Sequence, residues 1–168
     1  HTLAVQLTNR HQNILDLVYV NPETAKYKKV LREEDPAAYI DVTDDWTFMD
    51  DGSFIWSSER DGWNHIYHYN KNGKLLQQIT KGDWDVTQYY GLNAKKKTLY
   101  YQSTESGSIY RDVYSINANG KNKKQLSTQK GTNAASFSAD KSLFINTHTS
   151  SKSPATYTLH TSKNGKLL

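Results

Sequence analysis

The sequence predicts an all-β fold, a β-propeller segment of about four repeats, on three observations. Asn-Gly-Lys recurs at 72–74, 119–121 and 164–166. The strand-like run ahead of each turn recurs with it, as HIYHYN (65–70), DVYSIN (112–117) and ATYTLH (155–160). The run before that begins at Phe54, Leu99 and Leu143, spaced 45 and 44 residues apart. Three landmarks in phase, with about four short strands per unit, give the pattern of a propeller blade.

Taken in order, the first unit (1–32) supplies three strands, Leu3–Thr8, Leu15–Val20 and Tyr27–Leu31, with no innermost strand ahead of them. Residues 33–45, EEDPAAYIDVTDD, read as an acidic connector, since Pro36 disfavours ladder pairing. The second unit (45–80) opens at Trp46–Met49. It continues through Phe54–Ser58, His65–Tyr69 and Leu75–Thr80. The third (85–127) takes Asp85–Leu92, Thr98–Ser103, Ile109–Asn117 and Asn122–Ser127. The fourth (133–168) takes Ala134–Ser138, Leu143–Thr147, Pro154–Thr161 and the stub Lys166–Leu168. Two complete four-stranded antiparallel blades are therefore expected between two incomplete ones, all parts of one domain. The Asn-Gly pairs are expected in type I′ turns, where both central residues take positive φ. Open blade faces and unpaired strand edges make self-association an expected partnership.

Composition narrows the function. The 168 residues carry a net charge of +4, but the lysines are mostly scattered at turns (Lys71, Lys74, Lys95–Lys97, Lys121–Lys124). No aromatic stripe interleaves them, which argues against a nucleic-acid surface. No run of 18 apolar residues suggests a membrane span, and no basic–apolar leader stands before Leu3. The 12 tyrosines suit half-buried strands, and the absence of Cys excludes disulfides and thiolate ligands.

No cofactor, metal or catalytic residue is predicted. Gly-x-Ser-x-Gly is absent, so there is no nucleophile elbow. His65 and His68 lie three apart on one strand and point to opposite faces, so they cannot chelate one ion. The pairs Asp44-Asp45 and Asp50-Asp51 lack the ligand spacing of a calcium loop. Glu33-Glu34, in the polar connector, are expected to be solvated. Residues 59–65 (ERDGWNH) are richer than a hairpin requires. The acids Glu59 and Asp61 with Arg60 and His65 are expected to form a buried polar network that pins the turn at Gly62, with Trp63 covering it. Trp84 opens the next strand.

Ser58-Glu-Arg-Asp-Gly-Trp-x-His-Ile-Tyr67, Asn72-Gly-Lys-Leu75 and Ile79-Thr-Lys-Gly-Asp-Trp-Asp-Val86 strongly resemble the N-terminal propeller of the dipeptidyl peptidase IV family, its bacterial members in particular. LYYQSTE (99–105) and SFSAD (136–140) continue in register. The resemblance implies part of an eight-bladed propeller joined, in the same chain, to an α/β-hydrolase domain carrying Ser, Asp and His. That domain is not within these residues. It also implies release of N-terminal dipeptides with Pro or Ala second, and a periplasmic or secreted setting. The family's substrate-anchoring glutamates follow Trp and Tyr. Glu33-Glu34 follows Val30-Leu31-Arg32, so that role does not transfer. The connector with Tyr39 and Asp41 resembles a segment on the propeller face near the active site, which makes these two residues substrate-proximal. The motif from Glu59 to His65, with Trp84, carries over as a blade-stabilising feature. The expected role is a non-catalytic wall that limits access of peptides to the active-site cavity. The competing reading is a stand-alone propeller that binds proteins or glycans.

Overall fold

A computed structural model describes residues 2–168; His1, the first residue of the expected 1–32 unit, lies outside the described residues. Fourteen strands form four antiparallel sheets. The first holds β1 (Leu3–Thr8), β2 (Ile14–Val20) and β3 (Tyr27–Glu34). The second holds β4 (Trp46–Phe48), β5 (Phe54–Ser58), β6 (His65–Tyr69) and β7 (Leu75–Gln78). The third holds β8 (Val86–Asn93), β9 (Thr98–Ser103), β10 (Asp112–Asn117) and β11 (Lys124–Gln125). The fourth holds β12 (Thr132–Phe137), β13 (Leu143–Ser150) and β14 (Ser153–Thr161). Each is a meander in sequence order, the strand order of a propeller blade.

Alternation along each strand explains the packing. On β5, Phe54 and Trp56 face the first sheet and join Leu15, Leu17, Leu31, Tyr67 and Tyr69. Ile55, on the opposite face, joins Ile66, Ile79, Leu99, Tyr101 and Tyr114 toward the third sheet. A third cluster sets Tyr100, Val113 and Leu126 against Phe144 of the fourth sheet. The two central sheets are thus buried on both faces, and β5 has no exposed residue. Each of the three clusters serves one pair of successive sheets, and none joins the first sheet to the fourth among the described residues. Leu3 and Leu7 on one outer face are about half exposed, as are Ile145 and Leu159 on the other.

The Asn-Gly turns differ from the type I′ expectation. Gly73 has φ +79, but Asn72 is not in the positive-φ region. Gly73 N–H donates to Asn70 O (2.9 Å) and Asn70 N–H to Lys74 O (2.9 Å), a type I turn followed by a left-handed glycine. Asn70 Oδ1 accepts from the amides of Asn72 and Lys74, which fixes this longer form. The glycine also seats each turn on the preceding sheet. A Cβ at Gly73 would fall 1.6 Å from Val30 O, and one at Gly165 2.3 Å from Leu126 O.

A second repeated contact closes the outer strands. Ile66 N–H donates to Thr80 Oγ1 (2.9 Å), and 47 residues on Val113 N–H donates to Ser127 Oγ (3.0 Å). The same hydroxyls bond His65 and Asp112, the buried first residues of β6 and β10. All sheets run the same way. Lys28 Nζ reaches Asn72 Oδ1, and Asn93 Nδ2 reaches Asp140 O, so the Asn-Gly-Lys turns gather at one end. The longer connections, which carry the residues discussed next, gather at the other.

Candidate functional site

At the loop end, a cleft of about 290 Å³ opens between the first two sheets. The connector after β3 forms one wall, and the end of β5 with the turn after it forms the other. The connector has no regular secondary structure between Asp35 and Asp45. It is tied to the first sheet by Ile40 N–H to Gln12 O (2.6 Å) and by Gln6 Nε2 to Thr43 O (2.8 Å). Asp35 Oδ1 accepts from the amides of Ala37 and Ala38 and turns the chain into it. This anchoring presents Tyr39, 76% exposed, and Asp41 at the cleft, while Ile40 packs inward.

Glu33 overturns the expectation of a solvated acid. It lies within β3, which runs three residues past Leu31, and is only 8% exposed. The strand continues because Arg32 stands opposite Asp16 on β2 and makes a two-pronged bond with it (2.7 and 2.9 Å). Burial of the Glu33 carboxylate is offset by donors from the second sheet. Trp56 Nε1 reaches Oε1 (3.1 Å), Ser58 Oγ reaches Oε2 (2.9 Å), and Arg60 Nη2 reaches Oε1 (2.5 Å). The Arg60 guanidinium also lies over the rings of Tyr67 (5.2 Å) and Tyr69 (5.4 Å). It is a cation held between a carboxylate and two π-faces.

The remaining motif residues separate. His65 is fully buried and belongs to a different group. Its Nε2 bonds Gly82 O (2.9 Å) and its Nδ1 the Thr80 hydroxyl (3.1 Å), which sets Nε2–H donating to the carbonyl and Thr80 donating to Nδ1. The ring stands edge-on to Trp84 at 4.8 Å. Trp84, rather than Trp63, covers this histidine, and a Cβ at Gly82 would fall 2.3 Å from the Trp84 ring. Trp63 is 40% exposed on the turn. Asp61 accepts from Gln78 (2.5 Å) across to β7, and Gly62 N–H closes the turn onto Glu59 O (2.8 Å). The single network expected for residues 59–65 is therefore two: Arg60 reaches back to Glu33, and His65 forward to Thr80 and Gly82.

Chemically the cleft is acidic. Glu33 is neutralised by Arg60, whereas Glu34, Asp35, Asp41 and Glu59 line the cleft without an ion-pair partner among the described residues. The Ser57 hydroxyl, also in the lining, is buried and has no hydrogen-bond partner there. Sequence reasoning missed Glu33, Ser57 and Ser58. The only signal was the spacing from Glu33 to Trp56 and Arg60, which means nothing until β3 is known to lie against the second sheet. No group of three or more His, Cys, Asp or Glu side chains converges as a metal site among the described residues. None of their helices is long and apolar enough to cross a membrane.

The fold and the cleft define a class: part of a β-propeller whose loop end carries an acidic recess. The family model for the dipeptidyl peptidase IV (DPP IV) N-terminal region matches residues 1–155, and the chain belongs to that family. The dipeptidyl peptidase 4 of Trichophyton rubrum is 32% identical over 151 residues, covering 86% of this chain and 19% of that protein. The crystal structure of Porphyromonas gingivalis dipeptidyl peptidase 4 superposes with a TM-score of 0.91 at 39% identity, covering 99% of this chain and 24% of that one. A putative dipeptidyl aminopeptidase IV from Bacteroides ovatus shares the fold at a TM-score of 0.82 and 23% identity, covering 99% of this chain and 26% of that one. The chain thus spans about a fifth to a quarter of the length of these relatives.

Proposed function

We propose that the chain is the non-catalytic propeller wall of a dipeptidyl peptidase IV-like serine exopeptidase, periplasmic or secreted, that releases N-terminal dipeptides with Pro or Ala second. A hydrolase domain of the same protein supplies the nucleophile. The propeller limits entry to short or unfolded peptide ends. The observation that carries this reading is the acidic recess at the loop end, with Tyr39 and Asp41 presented on an anchored connector. Peptide amino termini are cationic, and Coulomb attraction draws them to carboxylates in a recess of reduced dielectric. The exposed ring of Tyr39 offers an apolar face to the adjoining side chains.

Gly-Pro and Ala-Pro anilides with free and acetylated amino termini test the reading in the full-length protein. Hydrolysis of the free forms and rejection of the acetylated ones is expected. Equal hydrolysis of both, or of neither, overturns the reading.

A further inference from the structure

The opposite end of the molecule carries a second recess, and the geometry points to a site for a sulfate or phosphate group there. A groove of about 470 Å³ lies between the third and fourth sheets at the end where the Asn-Gly-Lys turns gather. Its cations come from three separate elements: Lys96 from the turn between β8 and β9, Lys124 from β11, and Lys163 from the turn after β14. No carboxylate lines it, and none of these lysines forms an ion pair with a described residue.

Neutral donors accompany the lysines. Ser115, only 5% exposed, lines the groove from β10, beside Asn117 and Asn122. Thr98 donates its hydroxyl proton to Lys96 O (3.2 Å), which ties β9 to the turn that carries Lys96. The floor is fixed, since Tyr100 is buried and its hydroxyl bonds Ser162 Oγ (3.3 Å). Ser162 in turn donates to Lys141 O (2.5 Å), which holds the fourth-sheet wall in place.

Three lysines line one groove whose lining holds no carboxylate, so an anion entering it meets positive charge with no competing acid. Hydroxyl and amide donors beside them suit the several oxygens of a tetrahedral oxyanion better than a planar carboxylate. The chemistry therefore assigns the groove to a sulfate or phosphate group, either esterified to a saccharide or part of a small free anion. The site is independent of the acidic cleft, which faces the other way, and does not rest on the peptidase reading.

Calorimetric titration of the full-length protein with inorganic pyrophosphate, and separately with a disulfated disaccharide, tests the assignment. Saturable binding of either is expected, and the tighter of the two identifies the carrier. In Lys124→Gln/Lys163→Gln the affinity should fall at least about tenfold. Lys71→Gln/Lys166→Gln, which removes two lysines at the same end but outside the groove, should leave it within about twofold. Equal weakening by both double variants would reduce the effect to overall charge and overturn the proposal. Lack of saturation by both probes overturns it as well. Unchanged circular dichroism and melting temperature in each variant separate loss of the site from loss of fold.

Discussion

At the scale of single residues, close approach and charge pairing make sharper demands than propensity does. Gly73 needs both a left-handed backbone and the absence of a Cβ, because Val30 O occupies that space. Gly62 also has positive φ (+96) but faces open space. Gly62→Ala should therefore cost only the backbone term, about 1–2 kcal/mol. Gly73→Ala adds displacement of the preceding sheet and should cost about 2–4 kcal/mol. Urea denaturation compares them, and equal losses would contradict the seating of this turn on β3. Asp16 gives a pH test. Hydrogen bonding to Arg32, with Lys29 beside it, holds its carboxyl at about 2, below its ordinary 3.8. A depressed folded-state pKa adds stability that is complete above 3.8 and lost as pH falls toward about 2. Asp140, held at about 2 by Ser138 and Ser142, shares this window, so the difference between native protein and Asp16→Asn is the informative quantity. That difference should shrink across the window, and a constant difference would contradict the assigned pairing.

At the scale of elements, much of the strand pattern was legible because Asn-Gly turns, recurring strand-like runs and a mid-forties repeat all agree. Phe54–Ser58, His65–Tyr69 and Thr98–Ser103 fall where the sequence places them. Two features were not legible, for one physical reason: both depend on contacts between residues far apart in the sequence. Glu33 is buried by Trp56, Ser58 and Arg60, which stand 23, 25 and 27 residues downstream in another sheet. Trp84 covers His65 from 19 residues downstream, where Gly82, lacking a Cβ, leaves room for its ring. The β5–β6 hairpin gives the test at this scale. Trp56 and Tyr67 are 1% and 2% exposed in the cluster shared with the first sheet. Trp56→Ala or Tyr67→Ala should each lower stability by roughly 3–5 kcal/mol. A loss below about 1 kcal/mol would contradict their place in the core.

At the scale of the molecule, the sheets form a series with a core between each successive pair and partly apolar outer faces at its two ends. Ile145 and Leu159 are cross-strand partners on the fourth sheet, each more than two-fifths exposed. Residues 1–168 alone should therefore self-associate with rising concentration in analytical ultracentrifugation. Leu159→Lys should weaken that association, and no change would point to a different contact. The two ends also differ chemically: an acidic recess among long connections at one, lysine-bearing turns at the other. That polarity gives a repetitive scaffold two chemically distinct sides.

The most direct test of the wall account is steady-state hydrolysis of Gly-Pro anilide by the full-length protein carrying Tyr39→Ala or Asp41→Asn. A side chain that only binds the peptide alters KM and leaves the chemical step alone. The account predicts a KM raised about threefold to thirtyfold, kcat unchanged and the melting temperature unaltered. Unchanged KM in both variants, or loss of kcat at unchanged KM, would contradict it.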